Sequence, residues 1–217
     1  MAIVGLGGLG SSAAFYLAAA GVGELILIDY DLVEESNLNR QILHFTPDLG
    51  KPKTQSAKEK IALLNPEIKV TTLTAQLRKE SLELIGEPDV LIDALDNMEA
   101  RFLLNEYSYK KRIPLIHAAI SGFEGRIITL LPGRTPCLAC IYKKPSPKMC
   151  FPVIGVTPGV LGTMQAAEAI KLLTGMGNLL AGVLLTVDLL NWEIYRTRTT
   201  FDPACPVCGG RKQEDGS

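Results

Sequence analysis

Short apolar runs alternate with helix-forming segments through the first half of the chain. The runs have the length and β-branched content of strands buried in a parallel sheet, at residues 1–4, 25–28, 68–73, 88–94 and 112–118. Between them the pattern predicts helices, at residues 11–20, 54–64, 79–85 and 98–111. This alternation predicts a doubly wound, Rossmann-like α/β sheet with functional groups at the carboxyl ends of its strands.

The pattern changes in the second half. A strand at residues 125–131 follows the previous strand without room for a crossover helix, and residues 183–189 and 192–197 have the pattern of a hairpin. The sequence therefore predicts that antiparallel strands extend the mainly parallel sheet.

A long helical pattern lies between these two sets of strands, at residues 159–173. Its apolar residues share one face, which we expect to point inward, whereas Glu168 and Lys171 are expected on the outward face. This helix would pack its apolar face against the sheet.

Composition and charge exclude several classes of protein. The 217 residues, 47% of them hydrophobic, can bury a large core and fit one domain. The net charge of −1 gives no electrostatic reason to bind nucleic acid or an acidic membrane surface. No signal peptide pattern opens the chain, and no window approaches the ~18 apolar residues of a membrane span. We therefore expect a cytoplasmic protein without nucleic-acid or membrane partners, whose cysteines are thiols or metal ligands.

Glycines fill the connection between the first strand and the first helix. Gly5, Gly7 and Gly10 match the G-x-G-x-x-G pattern of nucleotide-binding loops, and Gly8 lies between them. Glycines let the backbone approach a phosphate, and the N–H groups at a helix start carry partial positive charge. Asp29 follows the second strand, where a carboxylate binds a ribose hydroxyl in doubly wound sheets. A turn cap is the alternative role for Asp29, but the preceding glycine loop favours ribose binding.

Further polar residues follow other predicted strands. Asp96 and Asn97 come after the fourth strand, and a carboxylate there could hold Mg²⁺, which prefers oxygen ligands. Arg40 suits bidentate binding of phosphate, and Lys53 can act as a point charge. An ordinary surface charge is the alternative for either cation. Asp93 should point to the other face of its strand and have a structural role.

Cysteines occur as two C-x-x-C pairs, Cys137 with Cys140 and Cys205 with Cys208. Two such pairs complete the closed tetrahedral shell of a structural zinc site. Redox dithiols are the alternative, but both pairs read as turns bordered by Pro and Gly rather than as helix starts, which favours zinc. Four thiolates leave no open position, so the zinc should hold the C-terminal segment in place and do no chemistry. Cys150 is left as an unpaired thiol.

Five ordered motifs resemble those of the ThiF/MoeB/HesA family, the bacterial relatives of ubiquitin-activating enzymes. They are GLGGLGSSAAFYLAAAGVGELILIDYD, SNLNRQ, GKPKTQSA, DALDN and the two C-x-x-C pairs, and together they span nearly the whole chain. Members of that family bind MgATP and adenylate the C-terminal carboxylate of a small β-grasp protein that ends in Gly-Gly. The resemblance therefore implies ATP, Mg²⁺ and Zn²⁺ as cofactors and a sulfur-carrier protein as partner. Because the chain ends soon after Cys208 with no rhodanese-like domain, we expect any sulfur to come from a separate donor.

The resemblance also implies roles for individual residues. It places Gly8 at the phosphates, Asp29 at the ribose, Asn37, Arg40 and Lys53 around the triphosphate, and Asp96, which Asn97 follows, on magnesium. Catalysis would come from positioning and charge, because a carboxylate nucleophile is already ionised and needs no general base. We therefore assign no catalytic role to either histidine.

Cys150 lies in the segment that matches the crossover loop of the family, where some members hold a reactive cysteine. A transient covalent bond to the carrier or to a sulfur donor is one role for this thiol, and a spare surface cysteine is the other.

Family members also carry a helix before the first strand, with an arginine that reaches the ATP of the other subunit in a homodimer. This chain opens at the first strand, so we expect either a truncated chain or a homodimer that turns over slowly without that arginine. We expect one adenylation domain at residues 1–211, with a nucleotide-binding part at about 1–120, an antiparallel and zinc part at about 121–211, and a polar tail at 212–217.

Two other functions stay open at this point. An NAD- or FAD-dependent oxidoreductase would also use the glycine loop and Asp29, although it has no need of Arg40, Lys53 or a magnesium site. A ThiF-like scaffold without turnover is the second alternative. The residues do not separate molybdenum cofactor, thiamine and other sulfur-transfer pathways.

Overall fold

The computed structural model describes residues 1–142 and 153–209. The strands are β1 (Ala2–Val4), β2 (Glu24–Ile28), β3 (Lys69–Leu73), β4 (Leu91–Asp93), β5 (Leu115–Ser121), β6 (Glu124–Leu130), β7 (Val183–Asp188) and β8 (Glu193–Arg198). The α-helices are α1 (Gly8–Ala19), α2 (Lys53–Leu64), α3 (Met98–Lys111), α4 (Leu138–Ile141) and α5 (Val156–Thr174), and 3-10 helices lie at Glu35–Asn37, Thr46–Asp48 and Lys79–Ile85. None of the helices in these described ranges has both the length and the apolarity needed to cross a bilayer.

The strands form one mixed sheet in the order β3-β2-β1-β4-β5-β6-β7-β8. The pairs from β3 to β5 are parallel, and those from β5 to β8 are antiparallel. The change follows from the connections, because β5 and β6 join through a tight turn at Gly122, whose φ of 58° suits glycine. The predicted doubly wound parallel sheet with antiparallel strands in the C-terminal half is confirmed.

Successive side chains of the strands point to opposite faces of the sheet, and each face carries an apolar core. Ile3 points into the core that α1, α2 and α5 cover, whereas Ala2 and Val4 point into the core that α3 and α4 cover. On the first face, α1 and α5 pack closely, since a Cβ on Gly162 would lie 2.3 Å from the carbonyl oxygen of Leu9. The amino-terminal part of α5 is thereby brought next to the glycine loop.

One predicted helix differs in type. Residues 79–85 form a 3-10 helix rather than an α-helix, and this helix ends at Gly86, which has a φ of 71°. So short a segment between β3 and β4 gains few α-helical hydrogen bonds, and a tighter turn fits the connection.

The prediction for Glu168 was wrong. Its side chain is buried, and its Oε2 accepts hydrogen bonds from the hydroxyl of Thr129 at 2.6 Å and from the N–H of Leu180 at 2.8 Å. Lys171, one turn later, forms an ion pair with Oε1. A buried carboxylate is tolerated here because these donors replace its hydration.

Candidate functional site

The carboxyl ends of β1, β2 and β4 open into one cleft of about 1340 Å³. This volume exceeds the ~300–1,000 Å³ of an ordinary small-molecule pocket. The cleft is lined by every residue that the sequence assigned to nucleotide or magnesium binding: Gly8, Asp29, Asn37, Arg40, Lys53, Asp96 and Asn97. The strand order explains this, because β1 lies between β2 and β4 and their ends are adjacent.

The glycine loop depends on glycine for steric reasons. Gly5 has a φ of 96°, and a Cβ at this position would lie 2.6 Å from the carbonyl oxygen of Ala94 on the neighbouring β4 connection. A Cβ on Gly10 would lie 1.9 Å from the carbonyl oxygen of Gly5. The loop therefore turns tightly into α1, which begins at Gly8, inside the motif.

Asp29 shapes the same loop. Its Oδ2 accepts a hydrogen bond from the N–H of Leu6 at 2.6 Å, and its Oδ1 accepts one from the N–H of Asp31 at 2.8 Å. Burial raises the pKa of this carboxyl group, while Lys53 acts in the opposite direction. Each carboxylate oxygen has a further lone pair, so a ribose hydroxyl can still bind, and that role stays a prediction.

Lys53 is paired within the cleft. It is the first residue of α2 and is buried, and its Nζ lies 2.8 Å from Oδ2 of Asp31. The sequence analysis missed Asp31, although its spacing of two residues from Asp29 at the strand end could have pointed to it. The cation that the resemblance assigns to the triphosphate thus has a carboxylate partner.

Arg40 lies on a loop that folds back on itself after the 3-10 helix at Glu35–Asn37. Its Nη1 donates to the carbonyl oxygen of Ser36 at 2.7 Å and to Oδ1 of Asn39 at 2.8 Å. The carbonyl oxygen of Asn37 accepts from the N–H of Arg40 at 3.1 Å. These bonds hold the guanidinium group against its own loop at the edge of the cleft.

Asp96 and Asn97 differ in their surroundings. Asp96 is exposed at the cleft, whereas Oδ1 of Asn97 accepts from the N–H of Ala100 at 2.9 Å and caps α3. The N–H of Leu95 donates to Oδ1 of Asp93 at 3.1 Å, and its carbonyl oxygen accepts from Arg101. The segment that carries Asp96 is therefore fixed on both sides.

Asp93 belongs to a buried polar cluster, in keeping with its predicted structural role. Its Oδ2 lies 2.6 Å from Nδ1 of His117, and its Oδ1 lies 3.8 Å from Nε of Arg101. Burial lowers the pKa of His117, and Asp93 only partly opposes this. The cluster stabilises the β4 end beneath the cleft.

The far end of the cleft carries residues that the sequence analysis did not single out. Arg126 and Glu124 alternate on β6 and form an ion pair of 2.8 Å, and both line the cleft with Tyr142. Arg126 lay on the predicted strand at residues 125–131 and Glu124 just before it, and this spacing of two residues was the available signal. They give the end opposite Lys53 a mixed charge.

The four cysteines of the two C-x-x-C pairs meet in one cluster. Their sulfur atoms lie within 4.8 Å of one another, all four residues are buried, and the closest contacts are 3.5 Å for Cys137–Cys205 and 3.2 Å for Cys140–Cys208. Tetrahedral zinc with Zn–S bonds of about 2.3 Å needs sulfur atoms about 3.8 Å apart, so the cluster fits zinc after a small adjustment. Burial raises the pKa of Cys137 to about 11, and a bound cation would favour the thiolate form.

One reason given for zinc was wrong in part. Cys137 occupies the N-cap position of the short helix α4, without a side-chain capping hydrogen bond, and Cys140 lies within the helix, so the first pair does stand at a helix start. The geometry of the cluster now favours zinc over a redox dithiol, because the sulfurs of both pairs converge. Cys150 and the polar tail at 212–217 lie outside the described residues.

The ThiF family model matches residues 1–207. The chain belongs to the ThiF family. The SAMP-activating enzyme E1 of Haloferax volcanii is 42% identical over 214 residues, which cover 95% of this chain and 79% of that protein. The sulfur carrier protein ThiS adenylyltransferase of Escherichia coli is 41% identical over 216 residues, which cover 96% of this chain and 85% of that protein. The resemblance found in the sequence is confirmed.

Solved structures of E. coli MccB share the fold. MccB with MccA-N7isoASN superposes with a TM-score of 0.88 at 26% identity, and MccB with ATP superposes with a TM-score of 0.87 at 25% identity. The matches cover 96% and 95% of this chain, which spans 66% of each MccB chain.

Proposed function

We propose that this chain is an ATP-dependent adenylyltransferase that activates the C-terminal Gly-Gly carboxylate of a small ubiquitin-like sulfur-carrier protein. The observation that carries the proposal is the single cleft into which all the residues assigned to the nucleotide converge. Two relatives whose matches cover 95% and 96% of the chain are named an activating enzyme and an adenylyltransferase, which supports the same activity.

The proposed reaction joins two anions. A carboxylate oxygen of the carrier attacks the α-phosphorus of ATP, the bond to the bridging oxygen breaks, and pyrophosphate leaves with that electron pair to give the acyl-adenylate. Arg40 and Lys53 lower the repulsion between the reactants and stabilise charge on the phosphates. Glycine-loop N–H groups at the start of α1 bind phosphate oxygens.

Asp96 is the residue proposed to hold Mg²⁺, which when bound would neutralise phosphate charge. Asp96 lines the cleft and follows Leu95, whose backbone is held by a hydrogen bond to Asp93. A carboxylate held in this way suits a hard cation. The zinc proposed for the cysteine cluster would lie apart from this chemistry and hold the C-terminal segment against α4.

Two alternatives carry less support. An oxidoreductase would not account for the cations in the cleft, and the two relatives compared above are named an activating enzyme and an adenylyltransferase. A scaffold without turnover shares the fold, so only an assay separates it from an enzyme. An acceptor related to MccA is the second candidate substrate, because a structure of MccB with MccA-N7isoASN shares this fold.

ATP–pyrophosphate exchange against a panel of carriers ending in Gly-Gly tests the proposal. We expect exchange to require one carrier with a free C-terminal carboxylate, and a C-terminally amidated carrier is the matched control. Exchange with MccA and with none of these carriers would favour the second candidate. ATP binding without exchange for any acceptor would favour the scaffold, and tighter binding of NADH than of ATP in calorimetry would favour the oxidoreductase.

We further propose that the protein works as a homodimer and receives sulfur from a separate donor protein. Light scattering of the purified chain tests the first point, with twice the mass of 23.5 kDa expected. Sulfur transfer to the adenylated carrier upon addition of a persulfide donor tests the second.

A further inference from the structure

His44 is buried and forms two side-chain hydrogen bonds. Its Nε2 lies 3.1 Å from the carbonyl oxygen of Leu6, and its Nδ1 lies 2.9 Å from Oγ of Ser56. A carbonyl oxygen only accepts, so in the neutral ring Nε2 carries the hydrogen and Nδ1 is the acceptor. The Ser56 hydroxyl can donate to Nδ1, and Asp48 is a second acceptor for the same hydroxyl. The contacts thus determine the neutral tautomer in which His44 is held.

These contacts join three segments that supply the cleft. Leu6 belongs to the glycine loop that contains Gly8, and Ser56 lies in the first turn of α2, which begins with Lys53. His44 itself follows the loop of Arg40, and its N–H donates to the carbonyl oxygen of Gln41 at 3.0 Å. One imidazole therefore connects the elements that carry Gly8, Arg40 and Lys53.

The peptide groups of Leu6 are held from both sides. Its N–H donates to Oδ2 of Asp29 at 2.6 Å, and its carbonyl oxygen accepts from His44 and from the hydroxyl of Ser11 at 3.2 Å. Because the N–H and the carbonyl group of Leu6 are both held, the orientation of the next residues, Gly7 and Gly8, towards the cleft is fixed.

We propose that His44 is a positioning residue for the nucleotide. Through its Nε2–H tautomer, His44 fixes the positions of the glycine loop, the Arg40 loop and the start of α2 relative to one another. His44 does not line the cleft, so it acts through Leu6 and Ser56 rather than on ATP. This inference rests on the proposed function for its substrate, ATP. It goes further by assigning a role to a histidine that adenylation chemistry does not require.

Three variants test the role. His44→Leu removes both hydrogen bonds at similar bulk, and His44→Gln keeps a donor that can reach Leu6. Ser108→Ala is the control, because Ser108 is also buried and donates to a carbonyl oxygen, that of Ile113 at 2.6 Å, but does not line the cleft. Each is measured by calorimetry with a non-hydrolysable ATP analogue, by the KM for ATP and for the carrier, and by Tm.

We expect His44→Leu to weaken ATP binding by about fivefold or more, with the KM for the carrier unchanged, and His44→Gln to recover most of the loss. Ser108→Ala should lower Tm without changing ATP affinity. Parent-like ATP affinity in His44→Leu, or an equal loss in Ser108→Ala, would overturn the proposal. If the parent protein binds ATP and His44→Leu weakens that binding, but the parent shows no pyrophosphate exchange, only the proposed function would be refuted.

A direct measurement covers the case in which His44→Leu does not fold. The ¹⁵N chemical shifts of the His44 ring in the parent protein report which nitrogen carries the hydrogen. We expect protonated Nε2 and unprotonated Nδ1, with ring shifts that move when the ATP analogue binds. The opposite tautomer, or shifts that do not respond to the nucleotide, would overturn the proposal.

Discussion

The ammonium group of Lys53 lies 2.8 Å from Oδ2 of Asp31, inside the cleft proposed to bind ATP. Lys53 is buried, whereas the Asp31 side chain is 44% exposed, so the pair lies at the boundary between protein and solvent. Asp31 keeps a buried cation paired and in place. A phosphate that binds Lys53 must bind beside Asp31 or displace it from the lysine. The carboxylate of Asp31 repels the phosphate because both are negatively charged.

Removing the charge of Asp31 tests this competition. Asp31→Asn should tighten ATP binding by about threefold at low salt, because a negative charge near the triphosphate is lost while the lysine stays. Calorimetric titration with ATP measures the effect. Glu83→Gln is the control, since Glu83 pairs with Lys110 and Lys111 outside the cleft and should leave affinity unchanged. Weaker binding in Asp31→Asn would show that the pair is needed to position Lys53.

Substitutions of the neighbouring residues Asp96 and Asn97 should have different effects, the first on activity and the second on stability. Asp96→Ala is expected to lower pyrophosphate exchange by about 100-fold or more, with little change in Tm, because its carboxylate is proposed to act on the metal-bound phosphates. Exchange at the parent rate would remove Asp96 from the proposed site.

Asn97→Ala should instead destabilise the protein, since it removes the cap of α3. The loss is expected to be about 1 kcal/mol, or roughly 2–4 °C in Tm. Thermal unfolding measures it, and an unchanged Tm would contradict the capping role.

Zinc should be bound at one ion per chain by Cys137, Cys140, Cys205 and Cys208. Cys205→Ser should lose metal and lower Tm by roughly 10 °C, because a closed structural shell contributes folding free energy. Elemental analysis and thermal unfolding measure the two effects, and Cys150→Ala is the control that removes a thiol outside the cluster. Purified protein without zinc, with every thiol freely titratable, would rule the site out.

Cys150 has its own test. If this cysteine forms a transient bond during sulfur transfer, Cys150→Ala should keep pyrophosphate exchange and lose formation of the carrier thiocarboxylate. Mass spectrometry of the carrier measures the product. A variant that retains both steps would leave Cys150 as a surface thiol without a catalytic role.

The sequence was sufficient to predict the sheet and the location of the cleft, because both follow from local patterns. Period-two and period-3.6 patterns identified the strands and most helices, and the glycine loop identified the edge of the sheet that is functional. Glu168 was misplaced because helical periodicity does not reveal how much of a helix its neighbours cover. Its burial depends on Thr129 and Leu180, which are distant in sequence.

Roles that depend on long-range pairing were also missed. The ion pair of Lys53 with Asp31 and the hydrogen bond of His44 with Leu6 span 22 and 38 residues. The position of Asp31 at a strand end marks it as a candidate site residue, but no local pattern shows which residue either pair joins. Similarly, Asn97 was assigned to the nucleotide, whereas its side chain also caps α3, since a strand end and a helix start coincide there.

The burial of His44 predicts acid sensitivity of the fold. Burial lowers the pKa of His44 to about 4 from its usual value of 6.5, and the charged groups that face it are Lys53, Asp48 and Lys60. In the folded protein Asp48 stays ionised in this range, because hydrogen bonds from Lys60, Phe45 and Ser56 overcome the effect of burial and hold its pKa at about 2. Between pH 6.5 and 4, then, His44 takes up a proton in the unfolded chain but not in the folded one.

The unfolded state therefore binds more protons in that window, and stability falls as the pH is lowered. Above pH 6.5 the protonation of His44 costs no stability. Near pH 4 it lowers the free energy of unfolding by up to about 3 kcal/mol. Urea unfolding of the parent and of His44→Gln from pH 7 to pH 4 measures it. The variant should show a shallower loss, since glutamine does not titrate and the other acid-sensitive groups, including His117, are common to both proteins. Parallel pH profiles for the two proteins would mean that His44 is not held in its neutral form by the fold.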